Sequence, residues 1–394
     1  MTHSHQFTLP TGLLEEVAAN GLDYLPELIR ILVNEAMKAE REAWLGARPY
    51  ERTDRRRGYA NGYKPKTVTT RVGKITFDIP QVREGNFYPS ALEKGMRSER
   101  ALHLTMAEMY VQGVSTRKVK AVIEQLCGTE VSSAQVSRAA ALLDEVLEAW
   151  RNRPLGEVPY VYLDARYEKV RTEGQVRDAA VLIAAGVGLD GKRTLLGVSV
   201  SLSEQEVHWR TFLESLVQRG LRGVRLIISD DHVGLKAARR AVFGSIPWQR
   251  CQFHLQQNAQ AYVPRKEMAA RVAADIRTIF NAPDRPTADA LLRRTVEKYD
   301  KEASALARWM EENLPEGLTV FAFPEAHRRK IRTVNLLERV NQEVRRRTRV
   351  VRIFPNEASC LRLVSAILME IDENWQVGRK YLSFNEEERA FSPP

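Results

Sequence analysis

Tyr160-Val-Tyr-Leu-Asp-Ala-Arg-Tyr-Glu-Lys-Val170, met just after Pro154 and Pro159, decides the fold class. It is rich in aromatic and β-branched residues and reads as a strand. Residues 178–189 form a second strand, Asp190-Gly191-Lys192 its turn, and residues 194–201 a third. Three such strands in succession predict an antiparallel meander. A helix over 205–219 follows, with Trp209, Phe212, Leu213 and Leu216 on one face. Residues 224–229 are then a buried strand, 234–243 a helix and 248–253 a short strand. A meander followed by βαβ units predicts a mixed α/β core over 154–255. From 256 to 325 the pattern is helical with breaks at Pro264, Pro283, Pro286 and Pro315, which reads as an all-α insertion. The last helices, from Thr333 through Arg345-Arg346-Arg347 and from Glu357 to Trp375, return to the core over 326–394.

Upstream of the strands the chain changes character. Leu25, Leu28, Ile29, Leu32, Val33 and Ala36 recur at helical spacing over 24–45, and Gly46 ends the pattern. The region 1–50 is therefore helical and a candidate dimerisation element. The basic stretch 52–66, interleaved with Tyr59 and Tyr63, has no core to form around and is expected to be a loop or arm. Alternation of Val68, Thr70, Val72 and then Ile75, Phe77, Ile79 about Gly73-Lys74 predicts a β-hairpin, so 51–95 is an arm plus a hairpin. Residues 96–153 read as three helices. The first stops at Gly113, the second runs from Ser115 to Leu126 with Gly128 beyond it, and the third runs from Ser132 or Ser133 to Trp150. Helix, short turn, then a helix opened by Ser-Ser-Ala-Gln-Val-Ser-Arg138 is a helix-turn-helix pattern. Its leading residues Ser133, Gln135 and Arg138, with Arg117 and Lys118 on the preceding helix, suit base edges or phosphates; an ordinary packed helical hairpin fits the same segment.

Composition narrows the function class. The 394 residues suggest two or three domains, and 44% apolar content suffices for a sizeable core. The longest apolar run, residues 179–189, is half of what a bilayer requires. Met1-Thr-His-Ser-His-Gln has no charged segment followed by an apolar one, and Cys127, Cys251 and Cys360 form no disulfide framework. A cytoplasmic protein with no membrane partner is the expectation. The net charge of +10 is unevenly placed. Residues 48–83 carry ten Arg/Lys, among them Arg55, Arg56, Arg57, Lys64 and Lys66, against three acids. Residues 328–352 carry ten more, including Arg345, Arg346, Arg347 and Arg349, against Glu338 and Glu343. The remainder of the chain is net negative. Charge confined in this way is the footprint expected for a polyanion, with solvated surface charge as the bland alternative.

Three acids stand where a metal site needs them: Asp164 within the first strand of the meander, Asp230 at the carboxyl end of a strand, and Glu338 on a helix in the second basic segment. Carboxylates are the hard ligands Mg²⁺ prefers, and two ions held by such a trio serve an in-line phosphoryl displacement. Each acid also has a plain structural reading. Asp230 or Asp231 could cap the following helix, Asp164 could face solvent on an edge strand, and Glu338 could make i,i+4 pairs. Cys251-Gln-Phe-His254 is half of a tetrahedral zinc site whose other half is missing.

Taken together, these segments resemble the prokaryotic Mutator-type insertion-sequence transposases. The resemblance covers about 25–375 and rests on Arg57-Gly-Tyr-Ala-Asn-Gly-Tyr-Lys, Ala107-Glu-Met-Tyr-Val-Gln-Gly-Val-Ser-Thr-Arg-Lys-Val, Leu163-Asp-Ala, Ile228-Ser-Asp, Trp248-Gln-Arg-Cys-Gln-Phe-His254 and Glu338-Arg-Val-Asn-Gln-Glu-Val-Arg-Arg-Arg-Thr-Arg-Val-Val. It implies an RNase H-like catalytic core with Asp164, Asp230 and Glu338 as catalytic and metal-binding triad. The helical insertion lies in the 107 residues between the last two. It also implies two Mg²⁺ ions, with Mn²⁺ as a substitute, and a cytoplasmic, nucleoid-associated homodimer. Its partner is double-stranded DNA: terminal inverted repeats, flank and target. The expected route is copy-out, paste-in through a circular intermediate. Asp231 departs from the small residue more usual after the second acid, which leaves the pair Asp230 and Asp231 to be separated. Cys-x₂-His is itself a family mark, so Cys251 and His254 are expected near the active centre, as donors that organise the metal-binding carboxylates or against the scissile phosphate. Two other functions share parts of the pattern. A non-catalytic helix-turn-helix regulator would bind without metal-dependent products, and a structure-selective nuclease would cut without making a new junction.

Overall fold

The computed structural model describes residues 12–92, 94–95, 98–127 and 130–391; Met1–Gln6 and Gly128 lie outside them. Two compact units divide the chain between Leu142 and Leu143.

In the first unit the helix Leu25–Leu45 is followed by a hairpin, β1 (Ala60–Thr70) and β2 (Gly73–Val82), paired antiparallel. Met37 of the helix is buried against Val68, Ile75, Phe77 and Ile79 of the hairpin. Asn34, also buried, accepts a hydrogen bond from the Asp78 amide at 3.0 Å, which fixes the helix on β2. Two expectations change. Residues 60–66 are not a loop but the exposed first half of β1, since Ala60 and residues 63–66 pair with β2 across an irregularity at 61–62, where Arg41 donates to the Gly62 carbonyl, without a core beneath them. The turn falls on Arg71-Val72 rather than Gly73-Lys74, because the Thr70 hydroxyl bonds the Gly73 carbonyl at 2.8 Å and closes it two residues earlier. Three helices follow, Arg100–Val111, Thr116–Cys127 and Ser133–Ala141, around Leu102, Met106, Val119, Ile123, Val131, Val136 and Ala139. The third does not run on to Trp150: it stops at Ala141, and a new helix, Asp144–Asn152, begins the second unit. The apolar positions Val136, Ala140, Leu143 and Leu147 keep helical spacing through the break, so periodicity carries no sign of it.

The second unit is built on a five-stranded mixed sheet. β3 (Tyr160–Thr172), β4 (Gln175–Val187) and β5 (Arg193–Ser201) form the antiparallel meander; β6 (Leu226–Ser229) and β7 (Trp248–Arg250) add in parallel, giving the order β5-β4-β3-β6-β7. β3 and β4 are longer than their apolar cores because Glu173 and Gly174, both at positive φ, make the two-residue turn that matches strand twist. The sheet sorts its residues by parity. Val161, Leu163, Leu182, Ala184, Leu196 and Ile227 face the helices Glu206–Gln218 and Val233–Phe243 and bury Trp209, Phe212, Leu213 and Leu216. Each such side chain contributes about 1.5–3 kcal/mol by its burial. Tyr160 and Tyr162 face the other way, where Tyr160 Oη meets His327 Nδ1 at 2.8 Å and Tyr162 Oη donates to the Lys330 carbonyl at 3.2 Å. β7 is shorter than expected. Its pairing with β6 ends at Arg250, and Gln252 already starts the helix Gln252–Ala259. Helices occupy most of the chain from there to Ile331, including Ala269–Phe280, Arg285–Asp300 and Ser304–Asn313. The helices Asn335–Thr348 and Glu357–Val377 then complete the core, the latter through buried Asp372, which accepts from the Leu195 amide at 2.8 Å. Among the described residues no helix is long and apolar enough to cross a membrane.

Candidate active site

Strand register places the first two acids. Tyr162 on β3 is paired with Ile228 on β6, and each is followed two residues later by an acid, Asp164 and Asp230. A period of two returns each acid to the face of its paired residue, and parallel neighbours run about 4.8 Å apart. The two carboxylates therefore share the face covered by the C-terminal helices. Asp164 lies on a central strand, flanked by β4 and β6, not on an edge. The helix Asn335–Thr348 is tied along β3 at two levels. Asn341 Nδ2 donates to Asp164 Oδ2 at 2.8 Å, and Thr348 Oγ1 donates to Glu168 Oε1 at 2.9 Å. This brings Glu338, one turn before Asn341, to the same place.

Electrostatics register the crowding. Burial and the neighbouring charges of Asp230, Glu204 and Glu338 push the Asp164 carboxyl up to about 7, against a hydrogen bond from the Ala165 amide that favours the anion. Among the described residues Glu338 Oε1 is buried with no hydrogen-bond partner, as are Asn341 Oδ1 and His254 Nδ1. Unpaired buried acceptors beside like charges are costly, and a divalent cation is the group that satisfies both. On the helix Asn335–Thr348 it is Glu343 that forms i,i+3 and i,i+4 pairs, with Arg346 and Arg347.

Asp230 and Asp231 occupy different environments. The Asp230 carboxylate accepts from the Asp231 amide at 2.8 Å and lies 3.8 Å from His254 Nδ1. Asp231 is held in an ion-pair cluster, 3.0 Å from both Lys236 and buried Arg250, which also reach Glu316. Neither caps the next helix: its N-cap position is His232. Cys251 is fully buried. Its amide donates to the Ser229 carbonyl at 2.8 Å and its sulfur accepts from the Val334 amide at 3.5 Å, joining the end of β6 to the start of the Glu338 helix. Burial pushes the thiol up to about 11. The ligand atoms of Cys251, His254 and Glu338 lie within 4.8 Å of one another.

One residue of the site has no counterpart in the sequence reading. Glu204, in the connection after β5, is nine-tenths buried, 3.3 Å from His232 Nδ1, and bonded to Tyr167. Its carboxyl is raised by burial, opposed by His232 and Tyr167, and raised further by Asp230. Gly234 permits this approach: a Cβ there would stand 2.2 Å from the Glu204 carbonyl oxygen. A loop Glu before a helix carries no sequence signal of that proximity.

Among the cations singled out from sequence, Arg345 and Arg349 are exposed and Arg346 is paired with Glu343. Arg347 differs from the expectation of a DNA contact. It is buried and its guanidinium is spent on Glu343 and Glu370, because the Glu357–Val377 helix packs over it. In the first unit Arg55, Arg57, Lys64, Arg117, Lys118, Ser133 and Arg138 are exposed. Arg56 bonds the Arg48 and Glu51 carbonyls, and Lys66 lies 2.7 Å from Tyr88 Oη. Gln135 also has a local role in the fold. Its carbonyl oxygen accepts from the Ser132 amide at 2.7 Å in a capping box that starts its own helix.

Comparison with known proteins gives the same direction. The transposase for insertion sequence element IS406 of Burkholderia multivorans is 64% identical over 368 residues, covering 93% of this chain and 95% of that protein. The transposase of ISRM5 from Rhizobium meliloti is 44% identical, covering 95% and 94%. That of IS256 in transposon Tn4001 from Staphylococcus aureus is 37% identical, covering 98% and 100%. The family profile described as Transposase, Mutator family, matches residues 1–378, so this chain belongs to the Mutator family of transposases.

Proposed function

We propose that the chain is the DNA transposase of an insertion sequence, cutting a strand at the element end and joining the freed 3′-hydroxyl to another DNA strand. The reading rests on family membership and on one observation: Asp164, Asp230 and Glu338, from two parallel strands and a distant helix, converge on one face, with unpaired buried acceptors among them. In this reading the second unit is an RNase H-like core interrupted by the helical insertion 256–325, and the three acids hold two divalent ions, Mg²⁺ or Mn²⁺. Such ions, when bound, activate the attacking oxygen and stabilise the leaving one. The chain's own residues supply position and charge. Asn341 and the Ala165 amide orient the Asp164 carboxylate, His254 stands at Asp230 to meet a phosphate oxygen, and Arg345 and Arg349 receive the DNA backbone. The helices Thr116–Cys127 and Ser133–Ala141 act as a helix-turn-helix, with the hairpin and its basic approach, on the terminal inverted repeats. The region before residue 50 serves a homodimer that pairs the two ends for copy-out, paste-in transposition beside the nucleoid.

The test uses labelled duplexes carrying the element's end, with wild type and Asp164→Asn, in Mg²⁺ or EDTA. Metal-dependent nicking and a new covalent junction, both lost in the variant while end binding persists, are expected. Cutting without a junction supports a nuclease, and binding without product supports a regulator.

A further inference from the structure

Beside the acids, on the same two helices that carry His254 and Glu338, lies a cavity of about 200 Å³ that the reaction described so far does not use. Phe253, Gln256, Arg277, Asn281, Arg332 and Asn335 line it. Phe253 is half exposed although aromatic, and its ring meets His254 edge-on at 5.4 Å between centroids. Asn335 stands one turn before Glu338 on its helix. The Gln252 amide bonds the Arg332 carbonyl at 3.0 Å, and Arg332 Nη1 bonds Asn281 Oδ1 at 2.8 Å, so the walls are fixed to one another.

We propose that this cavity receives a single nucleobase turned out of the duplex next to the cleaved phosphate. The inference rests on the transposase reading above. The space is smaller than a drug-sized ligand needs and of the scale of one planar heterocycle. Phe253 offers a stacking face, the side-chain amides of Gln256 and Asn335 offer both donors and acceptors to a base edge, Asn281 Nδ2 offers a donor, and Arg277 and Arg332 suit the adjoining phosphates. Because Phe253 and His254 are consecutive, a base on the first ring leaves its phosphate at the second. A turned-out nucleotide also opens the duplex where a strand must enter the acid cluster.

The experiment is a binding cycle in EDTA with full-length protein and duplexes carrying the element's end, intact or with one abasic nucleotide scanned across the cleavage position. Stacking of one base is worth roughly tenfold or more in affinity. Phe253→Ala is expected to bind intact ends about tenfold more weakly, and to lose that penalty when the abasic nucleotide occupies one particular position flanking the cleaved phosphate. Phe253→Trp keeps wild-type affinity. A Phe253→Ala penalty unchanged by an abasic nucleotide at every position, or no penalty at all, overturns the base pocket. Wild-type nicking and joining of the intact end in Mg²⁺ is read alongside. Its presence with no binding cycle removes only this inference, and its absence removes the reading beneath it.

Discussion

Asp230 and Asp231 are adjacent in sequence but differ in what surrounds them, and the difference is measurable. Asp231→Asn takes one charged partner from Arg250, a residue only 3% exposed, and leaves it with Glu316 and Asn313. A loss of about 1–2 kcal/mol of stability is expected, with metal-dependent cleavage retained. Asp230→Asn is expected to do the reverse: melting not lowered, since a charge that crowds Asp164 and Glu204 is gone, and cleavage lost. Thermal unfolding and a nicking assay on both variants separate the two, and a D231N enzyme that is stable but inactive contradicts the assignment. Asp164 has a pH signature. Its folded value, about 7, lies above its ordinary 3.8. The unfolded chain therefore ionises first, and this group costs nothing below about pH 4, progressively more from there to 7, and its full amount above. Three pH units correspond to about 4 kcal/mol. Asp164→Asn removes that cost but weakens one of two hydrogen bonds to the carboxylate, worth about 1 kcal/mol. In EDTA the variant should melt higher than wild type at pH 8, with more than half of the advantage gone at pH 5. An equal or lower melting temperature at pH 8 contradicts the crowded site.

The helix Asn335–Thr348 shows why a run of like residues is not one function. Arg345, Arg346 and Arg347 are identical letters, yet Arg347 alone is buried, against Glu343 and Glu370. Arg347→Ala should cost on the order of 1–2 kcal/mol of stability, since it removes a buried guanidinium that both Glu370 and Glu343 use, while Glu343 keeps Arg346. Arg345→Ala and Arg349→Ala should leave melting unchanged and each reduce the salt dependence of DNA binding by about one phosphate contact. Melting curves and a salt titration of end binding decide it. The same helix marks the limit of what the sequence discloses. Strand period, the meander and the amphipathic face of Trp209, Phe212, Leu213 and Leu216 are local patterns, and the elements lie close to where those patterns put them. The break after Ala141 interrupts a stripe that stays in phase, so only the packing of two separate cores produces it. Glu173-Gly174 extends β3 and β4 past their apolar stretches through backbone pairing alone. At the site, acids ending strands are legible as candidates. Glu204 is not, because its proximity depends on the return of β5 and the bare Cα of Gly234. Asn341 could be read as a residue but not as the donor to Asp164, a bond spanning 177 positions.

At the level of the whole chain, exposed cations stand in both units, Arg345 and Arg349 in the second, but the acid cluster stands in one. The first holds the exposed cations Arg55, Arg57, Lys64, Arg117, Lys118 and Arg138 on two small cores of its own; the second holds the acid cluster on the sheet. Recognition and chemistry should therefore be separable by cutting the chain where the units meet in sequence. A fragment of residues 1–142 is expected to fold, to bind element ends over unrelated duplex in EDTA, and to lose affinity steeply as salt rises. A fragment of residues 143–394 is expected to keep Mg²⁺-dependent stabilisation, read as a higher melting temperature, and to lose preference for the end sequence. Gel shifts against end and scrambled duplexes, with circular dichroism to establish that each fragment is folded, test both halves. A folded first fragment without end preference moves recognition into the second unit. There Arg345, Arg349 and the cavity behind Phe253 become the elements that must read the DNA.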